Sequence, residues 1–357
     1  MTASLSIAGR AIGAGQPPYV IAELSGNHNG EIGRAVRLIE AAREAGADAV
    51  KLQTYTADTI TIDHAGPGFV VEGGLWHGRK LHDLYREAHT PWDWHPALFE
   101  HARKLGIACF SSPFDPTAIE LLERLGAPAY KIASFEIVDT PLIRRAAETG
   151  KPLIISTGMA AADEIAEAVA AAREAGGDPD LVLLHCVSGY PTPAEEANLL
   201  RIPALAAAFA VPVGLSDHTL GIEVAIAAVA LGAVVIEKHV TLARADGGPD
   251  AAFSLEPHEL AALVKGVRTA HAALGRADYG RAESEKGNMA FRRSLYVVED
   301  VAAGEAFTQA NVRSIRPGYG LAPKYLPDVL GKHARAAIPR GTPLSRALIA
   351  EPMAGES

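Results

Sequence analysis

Between residues 18 and 275 one pattern recurs: a short apolar run, a polar residue at its end, then a helical stretch closed by glycine. The runs cover 19–24, 47–52, 107–110, 129–133, 153–155, 181–186, 211–215 and 233–237. Each is too short for a helix and is bounded by turn residues, as fully buried parallel strands are. The stretches between them are amphipathic. In the first, Ile32, Val36, Ile39 and Ala42 share one face, with Gly46 as a C-cap. Ile119, Leu122 and Leu125 repeat the arrangement before Gly126, and Thr140-Pro141 reads as an N-cap followed by a first-position proline. Eight strand–helix units predict a (β/α)₈ barrel. An open doubly wound sheet is the alternative, but no GxGxxG turn follows the first run.

One step breaks the rhythm. About 55 residues separate the second and third runs, including Gly66-Pro67-Gly68, Trp76 and LYREAHTPWDWH at 84–95. A loop of that length is functional or an added subdomain, or else decoration or oligomer packing. After the barrel segment (1–275), residues 276–293 are polar and charged and read as a linker. From 294 to 357 the chain reads as short strands and turns, in which VAAGEAFTQANV (301–312) and IPRGTPLSRALI (338–349) look like two copies of one motif. A domain that small is near the lower limit for an independent core, which suggests that it leans on a partner surface.

Composition narrows the function classes. With 48% hydrophobic and 21% charged residues over 357 positions, the chain can bury a large core and is not disordered. The longest nearly charge-free stretch, 224–236, falls short of the ~20 residues that cross a bilayer, so no membrane association is expected. The N-terminus lacks a continuous apolar export segment, and a cytoplasmic location is the expectation. Cys109 and Cys186 each lie in an apolar run, which excludes a disulfide scaffold and fits a reducing compartment. A net charge of −9 argues against nucleic-acid binding, so any anionic ligand needs a few local lysines and arginines.

In a barrel of this kind the site forms at the C-terminal ends of the strands. The residues there are Glu23, Lys51 with Gln53, Ser111 with Ser112, Lys131 with Ser134, Ser156, Ser188 with Tyr190, Ser216 with His218, and Glu237 with His239. His218 and His239 end the seventh and eighth strands, ~4.8 Å apart, where two neutral imidazoles could share a divalent metal. The other reading is two histidines bonded to their own loops. Lys51 and Lys131 end apolar strands, where a lone ammonium is costly. A bound phosphate or carboxylate, Schiff-base chemistry, or ion pairs with Glu23 or Glu237 would each resolve that. Ser134, Ser156 and Ser216 could add donors to a phosphate.

The motifs Glu23-x-x-x-NHNG, AGADAVKLQTY (45–55), FSSPFD (110–115), YKIAS (130–134), ISTGM (155–159), GLSDHT (214–219), EKHVTL (237–242), GPD (248–250), FSLEP (253–257) and RPGYGL (316–321) occur in this order. Together they resemble the sialic-acid synthase family of nonulosonic acid synthases over nearly the whole chain. The C-terminal part resembles that family's antifreeze-protein-like (SAF) domain. Within the family, KLQTYTADTI, the aromatic insertion, CVSGYP and RADGGPDAAFSLEP point to the pseudaminic acid branch, with the N-acetylneuraminate and legionaminic branches as alternatives. The asparagine typical of enzymes using N-acetylmannosamine is missing from 186–190.

The resemblance implies condensation of phosphoenolpyruvate with a diacetamido-trideoxy hexose, with a divalent metal (Mn²⁺, Mg²⁺ or Co²⁺) at His218 and His239. It implies that Lys51, Lys131, Ser134, Ser156 and Ser216 hold phosphoenolpyruvate, and that Glu23 serves as acid/base. Gln53, Tyr190 and Asp250 would contact the sugar, joined by Arg316 from the partner of a domain-swapped homodimer. Two competing readings are a keto-sugar-acid phosphate synthase, which needs further basic residues for a phosphorylated sugar, and a non-catalytic carbohydrate-binding protein.

Overall fold

The structure, a computed structural model, describes residues 5–177 and 180–350; the last seven residues of the segment 294–357 lie outside them. Two compact units divide at Gly275 and Arg276.

The first opens with a hairpin of β1 (Leu5–Ile7) and β2 (Arg10–Ile12). The barrel then runs β3 (Tyr19–Glu23), α1 (Ile32–Glu44), β4 (Ala49–Thr54), an insertion with α2 (Ala57–Ile60) and α3 (Leu81–Ala88), α4 (His95–Leu105), β5 (Ala108–Pro113) and α5 (Pro116–Leu125). It continues with β6 (Tyr130–Ile132), α6 (Thr140–Ala147), β7 (Leu153–Ser156), α7 (Ala162–Gly176), β8 (Leu181–Cys186), α8 (Arg201–Phe209), β9 (Val213–Asp217), α9 (Glu223–Ala230), β10 (Val235–His239) and α10 (Pro257–Leu274). Strands β3 to β10 form a closed, all-parallel barrel, shut by pairing of Val235–His239 with Tyr19–Glu23. The expected (β/α)₈ architecture is therefore present.

Three details differ from the sequence reading. β4, β9 and β10 begin two residues later than their apolar runs, at Ala49, Val213 and Val235. Asp139 caps α6, accepting from Leu142 N at 3.0 Å, and Thr140 is already helical. Residues 276–293, read as a linker, carry α11 (Glu283–Lys286) and a short 3₁₀ turn.

Alternation along the strands organises the barrel. One parity, including Val20, Val50, Ile132, Ile155, Leu183 and Ile236, packs outward against the helices. The other parity fills the interior: Tyr19, Ile21, Ala49, Phe110, Ile154, Val182 and Val235 close the lower half around Leu5, Ile7 and Ile12 of the hairpin. Carried two residues further, the same parity reaches Glu23, Lys51, Lys131, Ser156, Ser216 and Glu237. Only glycine fits at 214 on this face, since a Cβ there would lie 2.4 Å from the Val235 carbonyl oxygen.

The second unit contains the hairpin β11 (Ser294–Val297) with β12 (Val312–Ile315), and α12 (Leu326–Val329). Its core gathers Leu295, Val297, Val301, Phe307, Val312, Ile338 and Leu344. The two motif copies bond reciprocally: Val301 N to Ile338 O at 2.9 Å, and Ile338 N to Val301 O at 2.8 Å. The glycines three residues on repeat the match, Gly304 N donating to Ala334 O and Gly341 N to Val297 O, both at 2.8 Å. The repeat is thus a local two-fold, in which each copy closes the other's core.

Candidate active site

At the upper end of the barrel lies a cavity of about 500 Å³. Its floor is lined by Lys51, Gln53, Lys131, Ser134, Ser156, Ser216, Glu237, His218 and His239, with Ser25, Tyr190 and Asp250 on the sides. Eleven of the barrel residues expected at the site therefore line one space: Lys51, Gln53, Lys131, Ser134, Ser156, Tyr190, Ser216, His218, Glu237, His239 and Asp250. Two do not. Glu23 is fully buried and does not reach the cavity surface, although it is level with Lys51 and His239 in the register. Ser111 has the outward parity and bonds Thr54 at 2.6 Å behind the barrel wall.

The two lysines differ in charge compensation. Lys51 Nζ lies 2.5 Å from Glu23 Oε2, 3.6 Å from Glu237 Oε1 and 3.2 Å from Ser112 Oγ. Burial alone would lower its pKa, but the two carboxylates outweigh that and raise it. Lys131 Nζ donates to Ile132 O at 2.8 Å and Ser156 Oγ at 2.6 Å and makes no ion pair among the described residues. Burial pushes its pKa down to about 8. Ion pairing thus accounts for Lys51 but leaves Lys131 open to an anion.

The carboxylates also diverge. Burial, with the nearby Glu237 charge, pushes Glu23 up to about 7 against the pull of Lys51. Its Oε1 accepts from Ser25 N at 2.9 Å and Gln53 Nε2 at 3.1 Å. Glu237, although equally buried, is held below the usual carboxylate range by Lys51 and Lys131 and by Ser216 Oγ at 3.2 Å. Two buried acids sharing one cation titrate as a coupled pair, which can hold one proton beside one fixed negative charge.

His218 and His239 face each other with ring centroids 5.3 Å apart, and Tyr190 and Phe253 pack against His218 at 4.5 and 6.0 Å. His218 Nδ1 donates to Val187 O at 3.0 Å, so Nε2 is the nitrogen left for a metal. Burial opposes its protonation, but Cys186, that carbonyl and Glu237 raise its pKa. His239 is held far below its ordinary value by burial and by the charges of His218, Lys51 and Lys238, so its ring is neutral. Its Nδ1 is buried without a hydrogen bond, 3.7 Å from Asp250 Oδ2. An orphaned buried nitrogen facing a second imidazole fits a divalent cation. Among the described residues no three His, Cys, Asp or Glu side chains form a metal cluster, so the protein would supply two ligands and leave other positions open.

Behind the histidines stands a device that sequence reasoning missed. Lys238 and Asp217 have outward parity and form an ion pair of 2.6 Å, with the lysine side chain fully buried. Lys238 also donates to Thr219 O at 2.5 Å, while Asp217 Oδ1 accepts from Thr219 N at 2.9 Å. Each partner immediately precedes one of the two histidines, so the pair ties together the backbones that present them. Glu136 was missed as well: it lines the cavity, has an unpartnered carboxylate oxygen, and is pushed up to about 7 by burial. The NHNG motif is a clamp: Asn27 Nδ2 donates to Val240 O and Ser254 Oγ, both at 2.8 Å, and Arg34 Nε donates to Asn27 O at 2.7 Å.

The insertion between β4 and α4 roofs the cavity with Ile60, Val71, Trp76, Leu81, Leu84 and Tyr85. Trp76 crosses the mouth, donating from Nε1 to Pro249 O at 3.0 Å and packing 5.5 Å from the Tyr190 ring. In the second unit Arg316 follows β12, exposed, with no ion pair or side-chain hydrogen bond among the described residues.

A closed barrel with a cationic, carboxylate-lined floor and a paired-imidazole wall defines a small-molecule site suited to an anionic substrate. The chain belongs to the NeuB family, which it matches over residues 38–279, and residues 292–350 match the SAF domain. It is 46% identical to the pseudaminic acid synthase of Campylobacter jejuni (strain 81-176), over 91% of this chain and 95% of that one. It is 44% identical to the pseudaminic acid synthase of Helicobacter pylori, over 92% and 97%. Among solved structures, the N-acetylneuraminic acid synthetase of Leptospira borgpetersenii in complex with citrate superposes with a TM-score of 0.72 at 34% identity, covering 81% of this chain and 96% of that one.

Proposed function

We propose that the protein condenses phosphoenolpyruvate with 2,4-diacetamido-2,4,6-trideoxy-L-altrose and water to give pseudaminic acid and phosphate. The observation that carries this reading is the near-full-length similarity to two pseudaminic acid synthases, joined to a floor that suits phosphoenolpyruvate. Phosphoenolpyruvate C3 attacks the open-chain aldehyde, water adds at C2, and phosphate leaves with cleavage of the C2–O bond. Lys131, with the hydroxyls of Ser134, Ser156 and Ser216, binds the phosphate and carboxylate. Lys51 adds a second ammonium, already balanced by Glu23 and Glu237. Glu23, with a pKa of about 7, is the acid/base, and Gln53 and Ser25 link its carboxylate to the cavity. Tyr190, Gln53 and Asp250 orient the sugar. A divalent metal between His218 and His239 would supply Lewis acidity toward the aldehyde oxygen.

The reading extends to a cytoplasmic, domain-swapped homodimer in which Arg316 reaches the sugar bound by the other subunit. An unengaged guanidinium on an SAF domain supports this part. Co-expressed Glu23→Ala and Arg316→Ala chains should then regain activity in mixed dimers, and no regain would remove the trans role.

The primary test measures phosphate release from phosphoenolpyruvate with the altrose derivative, the legionaminic precursor and N-acetylmannosamine, with and without chelator. Fastest release with the altrose derivative, abolished by chelator, is expected. Preference for either other sugar would reassign the branch, and release with none would remove the synthase reading. Among the described residues no helix is long and apolar enough to cross a membrane.

A further inference from the structure

Helix α3 carries Leu81, Leu84, Tyr85 and Ala88 at positions i, i+3, i+4 and i+7, one apolar stripe. Such a stripe ordinarily packs into the core. Here all four residues line the cavity instead, joined by Ile60 and Val71 of the same insertion. The other helix residues and its lead-in are polar: Arg79 pairs with Glu87, Lys80 with Asp63 and Arg86 with Asp83, while the buried His82 bonds Asp58 at 3.0 Å. The cavity is therefore two-faced, with ammonium, hydroxyl and imidazole groups below and mostly apolar side chains, aliphatic with Trp76 and Tyr85 among them, above.

Phosphoenolpyruvate satisfies only the lower face. The aldehyde carbon of the sugar must meet its C3 beside His218 and His239, so the far end of the open-chain sugar extends toward the roof. A hydroxyl pressed against Leu81 and Leu84 of the stripe, or against Val71, would lose its hydrogen bonds to water with nothing there to replace them. A methyl group there covers apolar surface instead. We propose that the α3 stripe is the selectivity wall of the site and reads the C6 methyl of a 6-deoxy sugar, rejecting 6-hydroxy counterparts. This inference rests on the synthase reading above.

The test compares 2,4-diacetamido-2,4,6-trideoxy-L-altrose with its 6-hydroxy counterpart, 2,4-diacetamido-2,4-dideoxy-L-altrose, as kcat/KM in the wild type and in Leu81→Asn and Val71→Thr. The wild type should prefer the deoxy sugar at least tenfold, the scale on which one group is discriminated in an apolar pocket. Leu81→Asn should cut that preference about tenfold and Val71→Thr less, through the sugar KM, with the phosphoenolpyruvate KM unchanged. A wild type that uses both altroses equally overturns the inference and leaves the synthase reading standing. So does an unchanged preference in both variants when their melting shows them folded. A wild type that uses neither altrose but accepts N-acetylmannosamine overturns the branch assignment, and the inference with it.

Discussion

The floor and the roof of the cavity are built by different means. Floor residues such as Lys51, Lys131, Ser216 and Glu237 sit at alternate positions on paired strands, so the barrel register fixes where each side chain emerges. They are further tied by direct contacts, Lys51 to Glu23 at 2.5 Å and Lys131 to Ser156 at 2.6 Å. The roof is an insertion that hangs its apolar side chains over the mouth and touches the opposite rim through Trp76. The contrast teaches a division of labour: charge chemistry on a scaffold that cannot shift, selectivity on a segment whose side chains can change without disturbing the register.

The largest expected effect belongs to the floor. Replacing His218 or His239 by alanine should lower turnover by roughly a thousandfold or more, the several kcal/mol that Lewis-acid assistance supplies. Thermal melting should be nearly unchanged, because each ring ends its strand at the cavity. Appreciable turnover in either variant would remove the histidines from the chemistry.

Next comes the pair behind that wall. Lys238→Met leaves the Asp217 carboxylate buried and unpaired, which costs about 3–5 kcal/mol. The double variant Asp217→Leu/Lys238→Met should recover much of that stability, because an apolar replacement leaves no stranded charge. Urea unfolding of the three proteins checks this. Equal stability of Lys238→Met and the wild type would make the pair energetically idle.

Lys131 offers a smaller effect of opposite sign. Its folded pKa of about 8 lies below the ordinary 10.5, so between those values the unfolded chain binds more protons. Stability from this group rises with pH from about 8 to 10.5, and the full penalty applies below pH 8. Lys131→Met should therefore stabilise the free protein at pH 7 by about 3 kcal/mol, while greatly weakening phosphoenolpyruvate binding. The gain should vanish above pH 10.5. Glu23 runs the other way: its raised pKa contributes stability below its ordinary value that is lost as pH rises through about 7. Lys51→Met, which strands Glu23 and Glu237, should destabilise. Destabilisation by Lys131→Met at pH 7 would mean that its ammonium is paired after all.

The floor was legible in the sequence and the roof was not, for physical reasons. Eight apolar runs closed by polar residues specify buried parallel strands, and most strand-end residues then converge whichever exact boundary is drawn. Parity is what a run of apolar residues does not reveal. Ser111 was expected at the rim but faces outward, and Asp217 and Lys238 gave no sign that they were each other's partners until the register set them side by side. Glu136 lies beyond β6 on a 3₁₀ turn, outside any strand-end rule. On α3 the spacing of Leu81, Leu84, Tyr85 and Ala88 is that of any core-facing helix. Only the fold shows that what it faces is a cavity.

The smallest prediction tests the seam where roof meets rim. Trp76→Phe keeps an aromatic ring beside Tyr190 but removes the Nε1 hydrogen bond to Pro249 O. A hydrogen bond of this kind is worth ~0.5–1.5 kcal/mol, which corresponds to a rise of about two- to tenfold in the sugar KM if the seam positions the roof. Pro249 adjoins Asp250, whose carboxylate bonds Ser25 and stands 3.7 Å from His239, so loosening the seam acts first on the sugar side of the cavity. Phosphoenolpyruvate meets the floor alone, and its KM should not move. Equal rises in both constants would mean that roof and floor are one mechanical unit, and the division between them would fail.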